Sequence, residues 1–232
     1  GVYLNPGNVD FQEVLNSKIY VDKSELIQYT NSVLRTTQKY ICVSRPRRFG
    51  KSMAANMLTA YYSRGCDSRE MFQELKIAKH TDFEKHLNQY NVIHLNMRDY
   101  LTESENMKQL IQFVEEDLLD ELQQEFADLR MPRRRTLVKV LEQAFAQYKI
   151  PFVFIIDEWD CIFRVHKSDA ASQKTYLDFL RNLLKDKSYI ALAYMTGILP
   201  IKKYGEHSAI NAFYEYSMTD ASPIEEFTGF TE

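Results

Sequence analysis

An α/β fold, a parallel sheet with helices on both faces, is what this sequence predicts. Apolar β-favouring runs alternate along the whole chain with stretches of helical period, the pattern of strand, crossover and strand units. The run Phe152-Val153-Phe154-Ile155-Ile156 has no polar face, as a strand covered on both sides requires. Polar residues or acids follow the C-terminal ends of these runs, where ligands bind in such sheets.

Taken in order, Asn5-Pro6-Gly7-Asn8 is a turn, and Phe11, Val14 and Leu15 then recur at helical spacing. Tyr20-Val21-Asp22-Lys23-Ser24-Glu25-Leu26-Ile27 is a short extended piece running into a helix, with Asp22 or Ser24 as its cap. Two readings stand for this piece, a wall for a base-binding pocket or a packing helix with a capped end. Tyr40 to Val43 is the first core strand. The helix over Ser52 to Arg64 follows it, with Met53, Met57, Leu58 and Tyr61 on one side and Gly65 placed to end it.

Ser68 to Asn91 contains short amphipathic pieces, in which His80 and His86 have no second ligand at metal spacing and belong to solvated surface. Val92 to Met97 is the second strand, and its lone His94 is expected to be hydrogen-bonded structure. A long acidic helix covers Glu105 to Asp128, with Leu110, Phe113, Val114, Leu118, Leu122 and Phe126 as its apolar side. Arg133-Arg134-Arg135 is a solvated helix start, shorter than the basic tracts that signal nucleic acid. Leu137 to Tyr148 is a helix leading into the Phe152 strand. Trp159 to Asp169 is a connection, and Gln173 to Asp186 a helix that buries Tyr176, Leu177, Leu180 and Leu184. Tyr189 to Met195 is the next strand, ending in Thr196-Gly197, and Phe213 to Met218 supplies a fifth.

Composition bounds the class. The 232 residues, 45% hydrophobic with net charge −3, suit one large domain or one domain with an appendage and argue against wholesale electrostatic wrapping of nucleic acid. Cys42, Cys66 and Cys161 are widely separated and odd in number, without zinc or disulfide spacing, so a reducing cytoplasm is expected. Cys42 and Cys161 sit in apolar surroundings as small buried thiols. No apolar run reaches the roughly 18 residues of a membrane span, and no signal-peptide pattern opens the chain, so no membrane partner is expected.

The chemistry concentrates in Arg45-Pro46-Arg47-Arg48-Phe49-Gly50-Lys51-Ser52, between an apolar strand and a helix. A strand turning sharply into a helix presents unpaired amides, and the helix dipole favours an anion there. Gly50 allows close approach of a phosphate, Lys51 supplies a charge and the Ser52 hydroxyl can ligate Mg2+. The usual phosphate-loop pattern has glycine where this chain has Arg45. The alternative reading is a basic turn. What moves the balance is Asp157-Glu158 at the end of the Phe152 strand, placed to reach the metal shell and to orient an attacking water. Thr196 has two readings: contact with the γ-phosphate or water, or a hydroxyl capping the next turn. Guanine specificity lacks its Asn-Lys-x-Asp segment. The nearest approach, His166-Lys167-Ser168-Asp169, has the wrong first residue and position.

Tyr20-Val21-Asp22-Lys23-Ser24, Ser44 to Ser52, Ile155-Ile156-Asp157-Glu158 and Thr196-Gly197-Ile198-Leu199-Pro200-Ile201-Lys202-Lys203 together resemble the AAA-ATPase-like family of bacterial proteins. The chain is also similar to archaeal-type ATPases and, more distantly, to signal-transduction NTPases. The resemblance implies that R-P-R-R-F-G-K-S is a family form of the Walker A loop. It implies a P-loop NTPase of the additional-strand, AAA+-like class: a five-stranded parallel sheet in the order 5-1-4-3-2, with the Thr196 strand between those of Lys51 and Asp157. Residues 1–38 are then a segment flanking the site, 39–226 the core and 227–232 the start of a truncated helical lid, which in such proteins is often followed by a restriction-endonuclease-like nuclease domain.

The expected function is ATP binding and Mg2+-dependent ATP hydrolysis in the cytoplasm. Arg45, Pro46, Arg47, Arg48, Phe49, Gly50, Lys51, Ser52 and Met53 form the nucleotide-binding stretch. Ser52 and Asp157 hold the metal, Glu158 positions water, and Lys51 and Thr196 assist the chemistry. Arg47 and Arg48 either contact phosphates or a neighbouring subunit, or pair with Asp160 or Glu158. Two other functions stand beside this one: a nucleotide-binding switch with little turnover, or the ATPase module of a defence or nucleic-acid-processing nuclease that would meet nucleic acid through the missing C-terminal domain. Oligomer formation is left open.

Overall fold

The computed structural model describes residues 1–18, 20–44, 46, 50–201 and 213–217. Strands β1 (Tyr40–Ser44), β2 (Asn91–Asn96), β3 (Phe152–Asp157), β4 (Ile190–Gly197) and β5 (Tyr214–Ser217) run in the spatial order β2-β3-β4-β1-β5, every pairing parallel. Where five comparable strands are expected, the body of the sheet is the four-stranded part β2-β3-β4-β1. The fifth is a short addition whose backbone pairs with β1 from Ile41 to Ser44. Strands β1, β3 and β4 are buried from end to end, which accounts for their lack of a polar face. Because β4 lies between β1 and β3, the ends of three strands meet at one place.

Helices α1 (Val9–Leu15), α2 (Glu25–Val33), α3 (Lys51–Tyr62), α4 (Arg69–Phe72) and α5 (Phe83–His86), with a 3-10 turn at Lys76–Lys79, share one hydrophobic core with Ile41, Val43, Val92 and Ile155. Helices α6 (Met97–Glu103), α7 (Met107–Glu125), α8 (Leu137–Tyr148), α9 (Cys161–Val165) and α10 (Ala170–Leu184) share the other with Cys42, Ile93, Phe154 and Ile156. Alternate residues of one strand thus enter opposite cores, as the two-residue period of a strand demands.

Three helices follow their apolar spacing closely. Leu110, Val114, Leu118 and Leu122 of α7 are fully buried, and Tyr176, Leu177, Leu180 and Leu184 of α10 are buried as expected. Helix α8 has the expected bounds. Met97 departs from expectation: it opens α6, capped by the Asn96 side chain accepting from the Arg98 amide at 3.0 Å, instead of continuing β2. The connection after Trp159 holds α9, and Gly65 does not end α3. That helix stops at Ser63, and the Asn88 side-chain amide donates to its terminal carbonyls at Ala60 (3.0 Å) and Ser63 (2.8 Å).

The edge strand β2 is covered. Leu4 bridges Ile93, and the amides of Val2, Tyr3 and Leu4 all donate to the carboxylate of Glu121 on α7. Covering an edge in this way removes a row of unpaired backbone groups. Asp22 and Ser24 do not cap α2. Their oxygens accept from the amides of Lys76 (2.8 Å) and Ile77 (3.1 Å), fastening the 3-10 turn. Cys42 and Cys161 are buried thiols outside any disulfide, and the exposed Arg133, Arg134 and Arg135 precede the Thr136 cap of α8. Among the described residues no helix is long and apolar enough to cross a membrane.

Candidate functional site

At the shared end of β1, β3 and β4, the chain from β1 enters α3 through Gly50, whose φ of +75° is a left-handed conformation that costs glycine nothing. No side chain caps this helix among the described residues, so its first amides lack the acceptor that caps other helices of the chain. Lys51 is buried in the first turn, and its ammonium donates to the Pro46 carbonyl at 3.2 Å. Burial pushes the Lys51 pKa below its ordinary value, while Glu158, Asp160 and Asp157, in that order, pull it back. Met53 is half-buried in the same turn.

The carboxylate of Asp157 gathers three donors. Ser52 Oγ donates to Oδ2 at 3.0 Å, while the fully buried Thr196 hydroxyl and the Glu158 amide (3.1 Å) both donate to Oδ1. Of the two readings for Thr196, the turn cap does not match this geometry, since its hydroxyl bonds to Asp157. Its side chain joins β4 to β3, and its carbonyl accepts from the Trp159 amide at 3.1 Å. Ser52, Asp157 and Thr196 are therefore brought into one hydrogen-bonded group. Arg45, Arg47, Arg48, Phe49, Lys202 and Lys203 lie outside the described residues.

After Asp157 the chain turns at Glu158 with φ +55°, a left-handed conformation uncommon for a residue with a Cβ. The Glu158 carboxylate is ion-paired with Arg164 of α9. That guanidinium also lies 3.4 Å from Asp160 Oδ1. Asp160 is fully buried, and its Oδ2 accepts from the amides of Ile198 (2.9 Å) and Leu199 (2.7 Å), binding the turn after β4 to the turn after β3. Ser44, the last residue of β1, donates to the Leu199 carbonyl at 3.0 Å. Gly197 is required by this crowding, since a Cβ there would lie 2.7 Å from both Asp160 Oδ1 and Trp159 Nε1.

A family model described as Predicted AAA-ATPase matches residues 7–205 of the chain. The chain belongs to the AAA-ATPase-like family. A comparison with curated proteins gives no match. The family's description implies a nucleotide and, with it, a divalent cation. The residues present fit such a group. Oxygen ligands at about 2.1 Å in octahedral geometry stand about 3.0 Å apart when adjacent, and Ser52 Oγ and Asp157 Oδ2 have that separation at 3.0 Å. Mg2+ sites commonly combine one or two protein oxygens with substrate phosphates, so the absence of a cluster of three or more His, Cys, Asp or Glu among the described residues is no obstacle.

Sequence reasoning missed Arg164 altogether and weighed Asp160 only as a partner for Arg47 or Arg48. The signal was the i,i+4 spacing of Asp160 and Arg164, which places both on one helical face. The segment His166 to Asp169 has a structural role: Asp169 caps α10, accepting from the Ser172 amide at 3.0 Å. His94 sits against α3 with Nδ1 3.0 Å from Thr59 Oγ1. The same Thr59 hydroxyl donates to the Ala55 carbonyl at 2.9 Å. His86 is half-buried against Tyr90 instead of fully solvated, with Nδ1 2.7 Å from the phenol oxygen.

Proposed function

We propose that this chain is an ATP-binding core that hydrolyses ATP with Mg2+, on a P-loop fold of the additional-strand class. The observation that carries this reading is the 3.0 Å contact between Ser52 and Asp157, which joins the first turn of α3 to the end of β3 across 105 residues. A basic turn that had merely followed a strand would give no reason for that pairing. The position of β4 between β1 and β3 supports the fold assignment.

In this reading the open amides at the start of α3 and the loop before them take the phosphates, and Lys51 sets its charge against the β and γ oxygens. Burial favours that use, because an ammonium already removed from water gains more from an anion than a solvated one. Ser52 and Asp157 hold the cation, which when bound neutralises the charge that develops on the phosphate oxygens. Glu158 accepts a hydrogen bond from the attacking water and orients it in line with the γ-phosphorus. Thr196 keeps Asp157 in its orientation and stands next to the phosphate end of the site.

The reading is tested by calorimetric titration with ATP and Mg2+ alongside an assay of phosphate release. Wild type is expected to bind in the micromolar range, on the order of −8 kcal/mol. Lys51→Ala should abolish that binding, and Glu158→Gln should retain it while slowing release about 100-fold or more. Wild type that fails to bind ATP, or phosphate release equal in wild type and Glu158→Gln, would overturn the assignment.

A further inference from the structure

The candidate water-orienting residue, Glu158, sits on a strained turn. Its φ of +55° lies in the left-handed region that residues with a Cβ enter only at a cost, and the five-residue helix α9 that follows has no side-chain cap. A backbone φ leaves the carboxylate to its rotamers, so a contact from a neighbouring group sets its orientation. Among the described residues Arg164 makes such a contact. Arg164 Nη2 is ion-paired with Glu158 Oε2 and lies 3.4 Å from Asp160 Oδ1, with only 17% of its side chain exposed.

Asp160 is the rigid end of this chain of contacts. Its side chain has no exposure, and the Ile198 and Leu199 amides hold Oδ2 at 2.9 and 2.7 Å. Arg164 is thus anchored through Asp160 to the turn after β4, and Glu158 is anchored through Arg164. Burial opposes the charge on the guanidinium, yet Asp160 and Glu158 outweigh it and raise the Arg164 pKa. The pair does not draw Glu158 away from the site: among the acids that act on the buried Lys51 ammonium, Glu158 has the largest influence.

We propose that Arg164 is a positioning residue, a two-sided clamp that takes its own position from Asp160 and the β4 turn and with it sets the orientation in which Glu158 meets the attacking water. The proposal rests on the hydrolytic reading given above. A planar guanidinium suits the task because its donors diverge at fixed angles and can serve two carboxylates at once, which an ammonium on a flexible stem does less well. Misplacing a reacting group by about 1 Å can cost about 100-fold in rate, so a clamp acting only on orientation changes kcat and leaves ATP binding alone.

The test is a double-mutant cycle on phosphate release with Arg164→Ala, Glu158→Gln and the double variant, with Arg164→Lys as a conservative control. Arg164→Ala is expected to lower kcat about 10- to 100-fold while KM for ATP stays within about twofold, Arg164→Lys should recover part of that loss, and Arg164→Ala should cost nothing further once Glu158 is Gln. Equal kcat in wild type and Arg164→Ala overturns the proposal. So does a full additional loss in the Glu158→Gln background, which would show that Arg164 acts independently of Glu158, and so does a raised KM with kcat intact. If Arg164→Ala melts below the assay temperature, Arg164→Lys decides by the same two readouts. Absence of turnover in wild type would sink the hydrolytic reading and the positioning role with it, whereas turnover that ignores Arg164 sinks the positioning role alone.

Discussion

The two faces of the sheet are built by different means. On the face of α6 to α10 the core is rich in aliphatic side chains at helical spacing, such as Leu110, Leu118, Leu122, Leu141, Leu180 and Leu184. Four of its five helices begin with a side-chain cap, from Asn96, Asn106, Thr136 and Asp169. On the face of α1 to α5 no helix has such a cap among the described residues, and the core is tied together by buried polar groups. The Tyr62 hydroxyl donates to Asn31 Oδ1 at 2.7 Å and lies 2.6 Å from the Thr30 hydroxyl, and the Tyr61 hydroxyl donates to the Phe83 carbonyl at 2.6 Å. One face consists largely of helices that begin well on their own and pack by area. The other sets the twelve-residue α3 among shorter pieces, and distant side chains such as Ser24 and Asn88 satisfy some of its backbone groups, so its order depends on the whole of it being assembled.

That contrast can be broken experimentally. The largest effect belongs to the aliphatic face: Leu118→Ala, at a fully buried position, should cost about 2–5 kcal/mol in chemical denaturation, because a cavity is left in a packed core. A cost below about 1 kcal/mol would mean that α7 is only loosely docked. A smaller effect is expected on the polar face. Tyr62→Phe keeps the ring but leaves Asn31 and Thr30 without that hydroxyl, which should cost about 1–3 kcal/mol. An unchanged denaturation midpoint would show that the network contributes packing alone.

The smallest effect concerns pH and again separates the faces, because His94 and His86 both belong to the polar one. Burial is the main cause that lowers both pKa values below the ordinary 6.5. A histidine whose folded pKa is depressed binds fewer protons when folded than when unfolded, so stability is lost as pH falls below about 6.5. Melting temperatures measured at pH 7.5 and 5.5 should differ more for wild type than for His94→Gln, with His86 responsible for part of the slope that remains. Equal slopes in the two proteins would remove His94 from that role.

Much of the aliphatic face is legible in the sequence because α7, α8 and α10 each run for three turns or more, enough for a 3.6-residue period to repeat. The four- to seven-residue helices α4, α5, α6 and α9 are too short to show a period, and α6 and α9 were not anticipated at all. Asp22 and Ser24 show how capping chemistry misleads when read locally: Asp22 Oδ1 does accept from the Ser24 amide, but Asp22 Oδ2 and Ser24 Oγ serve the amides of Lys76 and Ile77, more than fifty residues on. The same limit applies to the site. Gly50, Lys51, Ser52 and Asp157 stand out because each lies at the junction of a long apolar run with a turn. Asp160 does not, because its partners at Ile198 and Leu199 are adjacent only once β3 and β4 are paired, and the i,i+4 spacing to Arg164 is a weaker signal inside a five-residue helix.

The class of fold, the long helices and the two segments that meet at the site are thus legible in the chain before it folds. Those features follow from periodicity and from the ends of apolar runs, which are local properties of the chain. Assembly of the sheet was needed to bring Ser52 and Thr196 to Asp157, to bond Thr196 across to β3 instead of to its own turn, and to tie Asp160 to the turn after β4. These are contacts between strand ends and turns distant in sequence, and no local propensity encodes a distance that exists only after a sheet has been assembled.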